Sequence, residues 1–93
     1  MDKVKMHQEL CDLIHETYLK KNSDYGDSFG RSIDRLGLIA AITRISDKYN
    51  RAENLIVNNT NSPLVSNESL KDTLLDMANY CIMTVIELEK NGN

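Results

Sequence analysis

Two stripes of ionisable residues carry the chemistry open to this chain. In RISDKYNRAE, residues 44–53, Arg44, Asp47, Lys48 and Arg51 stand at i, i+3, i+4 and i+7 of a helix. In ESLKDTLLDMANY, residues 68–80, Asp72, Asp76 and Asn79 fall within about 60° of one another on a helical wheel. Carboxylates one turn apart repel each other unless a cation compensates them. Magnesium suits such a pair, because it takes few carboxylates and completes its shell with water and phosphate oxygens. Asp72 and Asp76, joined by Asp47, are therefore candidate magnesium ligands. Arg44, Lys48 and Arg51 are candidate phosphate-binding residues, with Arg51 offering paired donors and Lys48 a point charge. The plain alternative is a pair of solvated faces laced with i,i+4 ion pairs, each worth a few tenths of a kcal/mol. What separates the two readings is whether the stripes face each other.

The stretch KNSDYGDSFG, residues 21–30, places Tyr25 and Phe29 beside Gly26 and Gly30 with Asp24 and Asp27 among them. A tyrosine on a glycine-hinged loop can stack on a base, and a neighbouring carboxylate can accept from base or ribose. Tyr25 and Asp27, with Asn79 and Tyr80, form the candidate base- and ribose-binding set. The bland reading of Tyr25 is a ring closing the end of a bundle. His7 and His15 lie on or beside an apolar stripe and read as structural. No residue is singled out as catalytic. Cys11 and Cys81 form no C-x-x-C pair and read as buried, reduced thiols.

A chain of 93 residues with a net charge of −3 bounds these readings. It is one domain, 1–93, and so short that it buries only roughly 60–65% of its unfolded surface. The acidic balance argues against a general electrostatic grip on DNA or RNA, so any anion must be held locally. No stretch approaches the roughly 20 apolar residues needed to span a bilayer, and the N-terminus lacks the apolar segment of a signal peptide. A cytoplasmic protein without membrane contact is expected.

Periodicity predicts an all-α fold of three helices over about 3–20, 33–57 and 67–90, with loops at 22–32 and 58–66. Val4, His7, Cys11, Ile14 and Tyr18 mark the buried face of the first helix. Ser32 is the expected cap of the second, aided by Asp34, and Gly37 suggests a close helix crossing. Leu38, Ile42, Ile45, Tyr49, Ala52 and Ile56 give the second helix a long seam for a partner helix. Ser66 is the expected cap of the third, with Val65 and Leu70 as a hydrophobic staple. Beyond Leu70, apolar residues cover most of that helix, leaving a narrow polar window of Ser69, Asp72, Asp76, Asn79, Glu87 and Lys90. One three-helix core cannot cover such a helix. The protomer is therefore expected to be a three-helix bundle completed by a homo-oligomer, dimer or higher.

KNSDYGDSFG, LIAAITRISDKYNRAENLI and NESLKDTLLDMANYCIM, in this order, resemble the nucleotide-modification-associated domain family, first type. The resemblance runs from about Lys21 to Glu87. Its most specific elements are Asp47, Lys48 and Arg51, then Glu68, Asp72, Asp76, Asn79 and Tyr80. It implies a phage or bacterial protein placed beside enzymes that make or remove modified nucleotides. More distantly the plan is similar to MazG-like all-alpha nucleotide pyrophosphohydrolases, in which helices of two subunits hold magnesium between acidic motifs. The Glu-x-x-Glu half of that metal site is absent here, and Asp47 is flanked by Lys48 and Arg51 instead. That departure favours phosphate binding over metal-driven cleavage.

Three functions follow as expectations. The first is a phage-type protein that binds a phosphorylated nucleotide between the second and third expected helices, with magnesium-assisted hydrolysis of a phosphoanhydride as its enzymatic form. The second is an oligomeric sponge that captures a signalling nucleotide, a cyclic dinucleotide or an ADP-ribose derivative, in the host cytoplasm and so blocks host defence. The third is a helical adaptor whose polar stripes are merely solvated.

Overall fold

The computed structural model describes residues 1–58, 63–90 and 92. They form four helices: α1 (Lys3–Tyr25), α2 (Ser28–Leu36), α3 (Ile39–Val57) and α4 (Pro63–Lys90). No strand occurs among the described residues. The fold is all-α, with one more helix than periodicity predicted.

The extra helix takes residues 28–32 from the expected loop and 33–36 from the expected second helix, which breaks at Gly37 instead of running unbroken from 33 to 57. Asn22, Ser23 and Asp24 continue α1, which stops only at Gly26, where φ is 66° and the glycine N–H donates to Asn22 O at 2.8 Å. An L side chain rarely adopts that φ, so Gly26 sets the turn. Asp27 then caps α2, its carboxylate accepting from Gly30 N at 3.1 Å. A Cβ at Gly30 would run into that same carboxylate, so the glycine makes room for the cap. Ser32 is thus not a cap. It sits mid-helix, donating from Oγ to Ser28 O at 3.0 Å, because Asp27 has already closed the helix start.

Gly37 ends α2 at φ 81°, donating to Ile33 O at 2.7 Å. Nothing lies within 4 Å of where its Cβ would be, so the residue serves a backbone break and not the close helix crossing expected of it. α3 starts directly behind it, without a side-chain cap. α4 begins at Pro63, ahead of the expected start at 67, which puts Ser66 inside the helix. Pro is tolerated at a first helical position, where its missing N–H would have no partner. The Val65–Leu70 staple lies outside the described residues.

α3 and α4 pack side by side and antiparallel, and their shared face is unexpectedly polar. On α4 it carries Thr73, Asp76, Tyr80, Met83 and Glu87, three and four residues apart, with Thr73 and Glu87 buried. On α3 it carries Ala41, Ile45, Lys48, Ala52 and Leu55, of which Ala41 and Ala52 are buried. Glu87, expected in the solvated window, is 5% exposed. Its Oε1 lies 3.0 Å from Lys90 Nζ. Glu87 first, then the Asp34 carboxylate 3.6 Å away, raises the Lys90 pKa above the ordinary lysine value.

Of the apolar seam predicted for α3, Ile45 and Ala52 lie on the face toward α4 and the other four residues do not. Leu38, Ile42, Tyr49 and Ile56 are more than half exposed, as is Val85 of α4, with Leu74, Ile82 and Ile86 close behind. α1 docks mainly around Ile14, and Val4, Leu13 and Leu19 stay exposed. The core is correspondingly small: Phe29 and Ile33 of α2 meet Ala41, with Ala40, Tyr80 and Met83 packed around them.

This crossing fixes a first prediction. Ala41 is 2% exposed in a close approach to Phe29 and Ile33, so Ala41→Leu is expected to destabilise the protein by about 1–3 kcal/mol through overpacking. Urea unfolding at one fixed protein concentration measures it. An unchanged midpoint would contradict the close approach.

Candidate functional site

The two stripes meet at one polar rung, and a second rung joins Arg51 to Thr73 beside the acidic stripe, while Arg44, Asp47 and Asp72 are exposed. Lys48 Nζ donates to Asp76 Oδ2 at 3.1 Å. Three residues further along α3 and three back along α4, Arg51 Nε donates to Thr73 Oγ1 at 3.2 Å. Thr73 passes the bond on, donating from Oγ1 to Ser69 O at 2.7 Å. The rungs fix the register of the hairpin, since sliding one helix by a turn would strand a partly buried ammonium and a buried hydroxyl.

On its other side Asp76 meets α1. Lys21 Nζ lies 3.8 Å from Asp76 Oδ1, so both carboxylate oxygens have an ammonium neighbour. One turn on, Asn79 Nδ2 donates to Ile14 O at 2.9 Å and clamps α1 to α4. This crossing opens a cavity of about 360 Å³ between the end of α1, the α1–α2 turn and α4. Tyr18, Lys21, Asn22 and Tyr25 line it from α1, Gly26 to Phe29 from the turn, and Asp76, Asn79, Tyr80 and Met83 from α4. Phe29 and Tyr80 form its aromatic floor, with ring centroids 5.4 Å apart and planes tilted by 40°. Tyr25, 71% exposed, stands at the rim. Aromatic faces, two amides and an ion pair within one small cavity suit a flat heteroaromatic ring with polar edges.

Of the residues expected to bind base and ribose, Tyr25, Asp27, Asn79 and Tyr80 all line this cavity. Asp27 does so with one oxygen already committed to the α2 cap. Arg44, Lys48 and Arg51 do not line it, and Lys48 reaches it only through Asp76. Of the three aspartates, Asp72 and Asp76 share a hollow beside Ile14 and Asn79, while Asp47 is exposed and outside it. Among the described residues no three His, Cys, Asp or Glu side chains converge on a point that could hold a metal ion. Cys11 is half-buried and Cys81 exposed, so neither is the fully buried thiol expected. Cys11 Sγ lies 3.8 Å from His7 Nδ1.

Sequence reasoning missed Tyr18, Lys21, Asn22, Phe29 and Met83. The signal for the first three was present: together with Tyr25 they stand at i, i+3, i+4 and i+7, one face of a helix that continues to Gly26. Reading 22–32 as a loop hid it.

The rung at Asp76 yields a second prediction. Lys48 and Asp76 side chains are 28% and 30% exposed at 3.1 Å, whereas Lys21 is 60% exposed at 3.8 Å. Double-mutant cycles with Lys48→Met, Lys21→Met and Asp76→Asn are expected to give a coupling of about 1 kcal/mol for Lys48 and near zero for Lys21. Equal couplings would mean that the register lock is misassigned.

The family model described as nucleotide modification associated domain 1 matches residues 21–88, from the end of α1 through nearly all of α4. No curated protein and no solved structure matches the chain. With the match covering both rungs and all of the cavity lining but Tyr18, the protein belongs to the nucleotide modification associated domain 1 family.

Proposed function

We propose that the protein binds a phosphorylated nucleotide, with the base seated between Tyr25, Phe29 and Tyr80 and its polar edge turned to Asn22 and Asn79. The observation that carries this reading is the aromatic, amide-edged cavity closed by the Lys21–Asp76 pair, in a chain of a family named for nucleotide modification. The base-binding wall is formed by α1, α2 and α4, so the ligand sits beside the α3–α4 hairpin instead of inside it.

Two forms of the function differ at Asp76. A magnesium-dependent hydrolase related to the MazG-like enzymes would use Asp47, Asp72 and Asp76 as ligands. Asp76 would then have to give up Lys48 and Lys21 for the cation, and Asp47 would have to reach the hollow that Asp72 and Asp76 share. Capture without turnover needs neither change. The donor set favours capture, the sponge reading, and a phage-encoded protein of this kind would act in the host cytoplasm. Among the described residues no helix is long and apolar enough to cross a membrane, which fits a ligand that is not membrane-bound.

A homo-oligomer belongs to this reading, and its support is the surface left uncovered. The chain exposes 7021 Å², against roughly 5,500 Å² expected for a compact monomer of this mass. Its radius of gyration is 15.0 Å, against about 12 Å for a compact chain of this length. The excess lies in the range that one subunit gives up to an obligate interface. The outward stripes of α3 (Leu38, Ile42, Tyr49, Ile56) and α4 (Leu74, Ile82, Val85, Ile86) supply apolar surface for it. An adaptor would use the same faces for another protein, but would leave the cavity unexplained.

Two tests follow. The protein is mixed with a nucleotide panel with and without magnesium, heat-denatured, and the released ligand identified. Intact nucleotide at stoichiometric yield is the expected result, metal-dependent loss would show a hydrolase, and no bound nucleotide would end the proposal. In sedimentation, the wild type is expected to run as a dimer or larger and Ile42→Asp with Val85→Asp as a smaller species. A wild type that stays monomeric at high concentration would refute the oligomer.

A further inference from the structure

The cavity has a second, cationic compartment that the α3 stripe does not supply. α2 presents Ser28, Arg31, Ser32 and Arg35 on one face, at i, i+3, i+4 and i+7, opposite the buried Phe29 and Ile33. These four residues, with Asp34, line an open groove along the helix. Ser28 lines both the groove and the aromatic cavity, so it stands at the border between the two hollows. Arg31 also leans across the junction: its Nη1 lies 3.6 Å from the point where a side chain at Gly26 would begin, and Gly26 lines the cavity.

Charge in the groove is uncompensated on the cationic side. Among the described residues neither Arg31 nor Arg35 has a carboxylate within 4.0 Å, whereas Asp34, the groove's own carboxylate, is held by Lys90 at 3.6 Å. Asp27 stands at the junction with one oxygen accepting from Gly30 N. Two unpaired guanidiniums one turn apart, roughly 6 Å between their stems, match successive phosphates of a linear chain better than a single phosphate. Guanidinium is the side chain suited to two-point contact with phosphate oxygens.

We infer that the ligand is a nucleoside carrying a linear chain of two or three phosphates, whose base fills the aromatic cavity and whose phosphates cross Ser28 and run along α2 to Arg31 and Arg35. This rests on the nucleotide-binding reading and moves the phosphate site from Arg44, Lys48 and Arg51 on α3 to α2. A cyclic dinucleotide, with two bases and no linear chain, does not fit the path.

Calorimetry tests the inference with nucleosides, their 5′-monophosphates and methylene-bridged 5′-triphosphates of the common bases. Wild-type protein is expected to bind the preferred triphosphate at least tenfold more tightly than its monophosphate. Arg31→Gln with Arg35→Gln should cut that gain below threefold and leave nucleoside affinity unchanged. Both side chains are exposed, so the fold survives their replacement, and circular dichroism checks this. If Arg44→Gln or Lys48→Gln removes the gain and the α2 variant keeps it, the phosphates lie on α3 and the inference is overturned. Nucleoside binding with no gain from phosphates also overturns it, while no binding of any nucleoside or nucleotide sinks the nucleotide-binding reading itself.

Discussion

The constraint on which the rest of this molecule depends is the polar seam between α3 and α4. Two antiparallel helices usually meet on their most apolar faces. Here they meet on alanines, a threonine and an ion pair, Lys48 Nζ to Asp76 Oδ2 at 3.1 Å with Arg51 to Thr73 beside it. A seam of this kind contributes little by hydrophobic burial, but it is selective, because a shift of register leaves charged and polar groups without partners. Its cost is that the apolar faces of both helices turn outward. The exposed Leu38, Ile42, Tyr49, Val85 and Ile86 are the direct consequence of which faces the rungs have turned inward.

That arrangement explains why some of the fold was legible in the sequence and some was not. The helical class and the two long polar stripes were plain from residue spacing. The orientation of the stripes was not, since hydrophobic periodicity shows which positions share an apolar face and not which neighbour covers them. The strict seam from Leu38 to Ile56 reads as one helix–helix contact, yet within the chain only Ile45 and Ala52 of it are covered, while Leu38, Ile42, Tyr49 and Ile56 stay exposed. Glu87 misled in the other direction. A carboxylate in a helical polar window reads as solvated, and only the packing of its neighbours against this face of α4, with Lys90 close by, buries it.

The site was half visible for a different reason. Tyr25, Asp27, Asn79 and Tyr80, which line the cavity, were singled out because aromatic, acidic and amide residues beside glycine stand out chemically. Lys21 and Asn22 were lost because Asn, Ser, Asp and Gly in succession resemble a loop. The composition was overridden by one backbone angle: with Gly26 at φ 66° the turn needs a single residue, and the polar residues before it remain helical. Only on a continuous helix do Tyr18, Lys21, Asn22 and Tyr25 share a face.

The same geometry makes the cavity a sensor of how α1 is docked. One wall is the last two turns of α1, and the opposite wall is the α4 face that carries Asp76, Asn79 and Tyr80. The direct holds between those walls are Ile14, the Asn79 bond to its carbonyl and the long Lys21–Asp76 contact. These are weak compared with the α3–α4 seam, so the walls are among the first elements to part when the protein opens locally. A ligand touching both walls adds its contacts to the closed form alone, and by linkage it is bound more tightly the better α1 is docked.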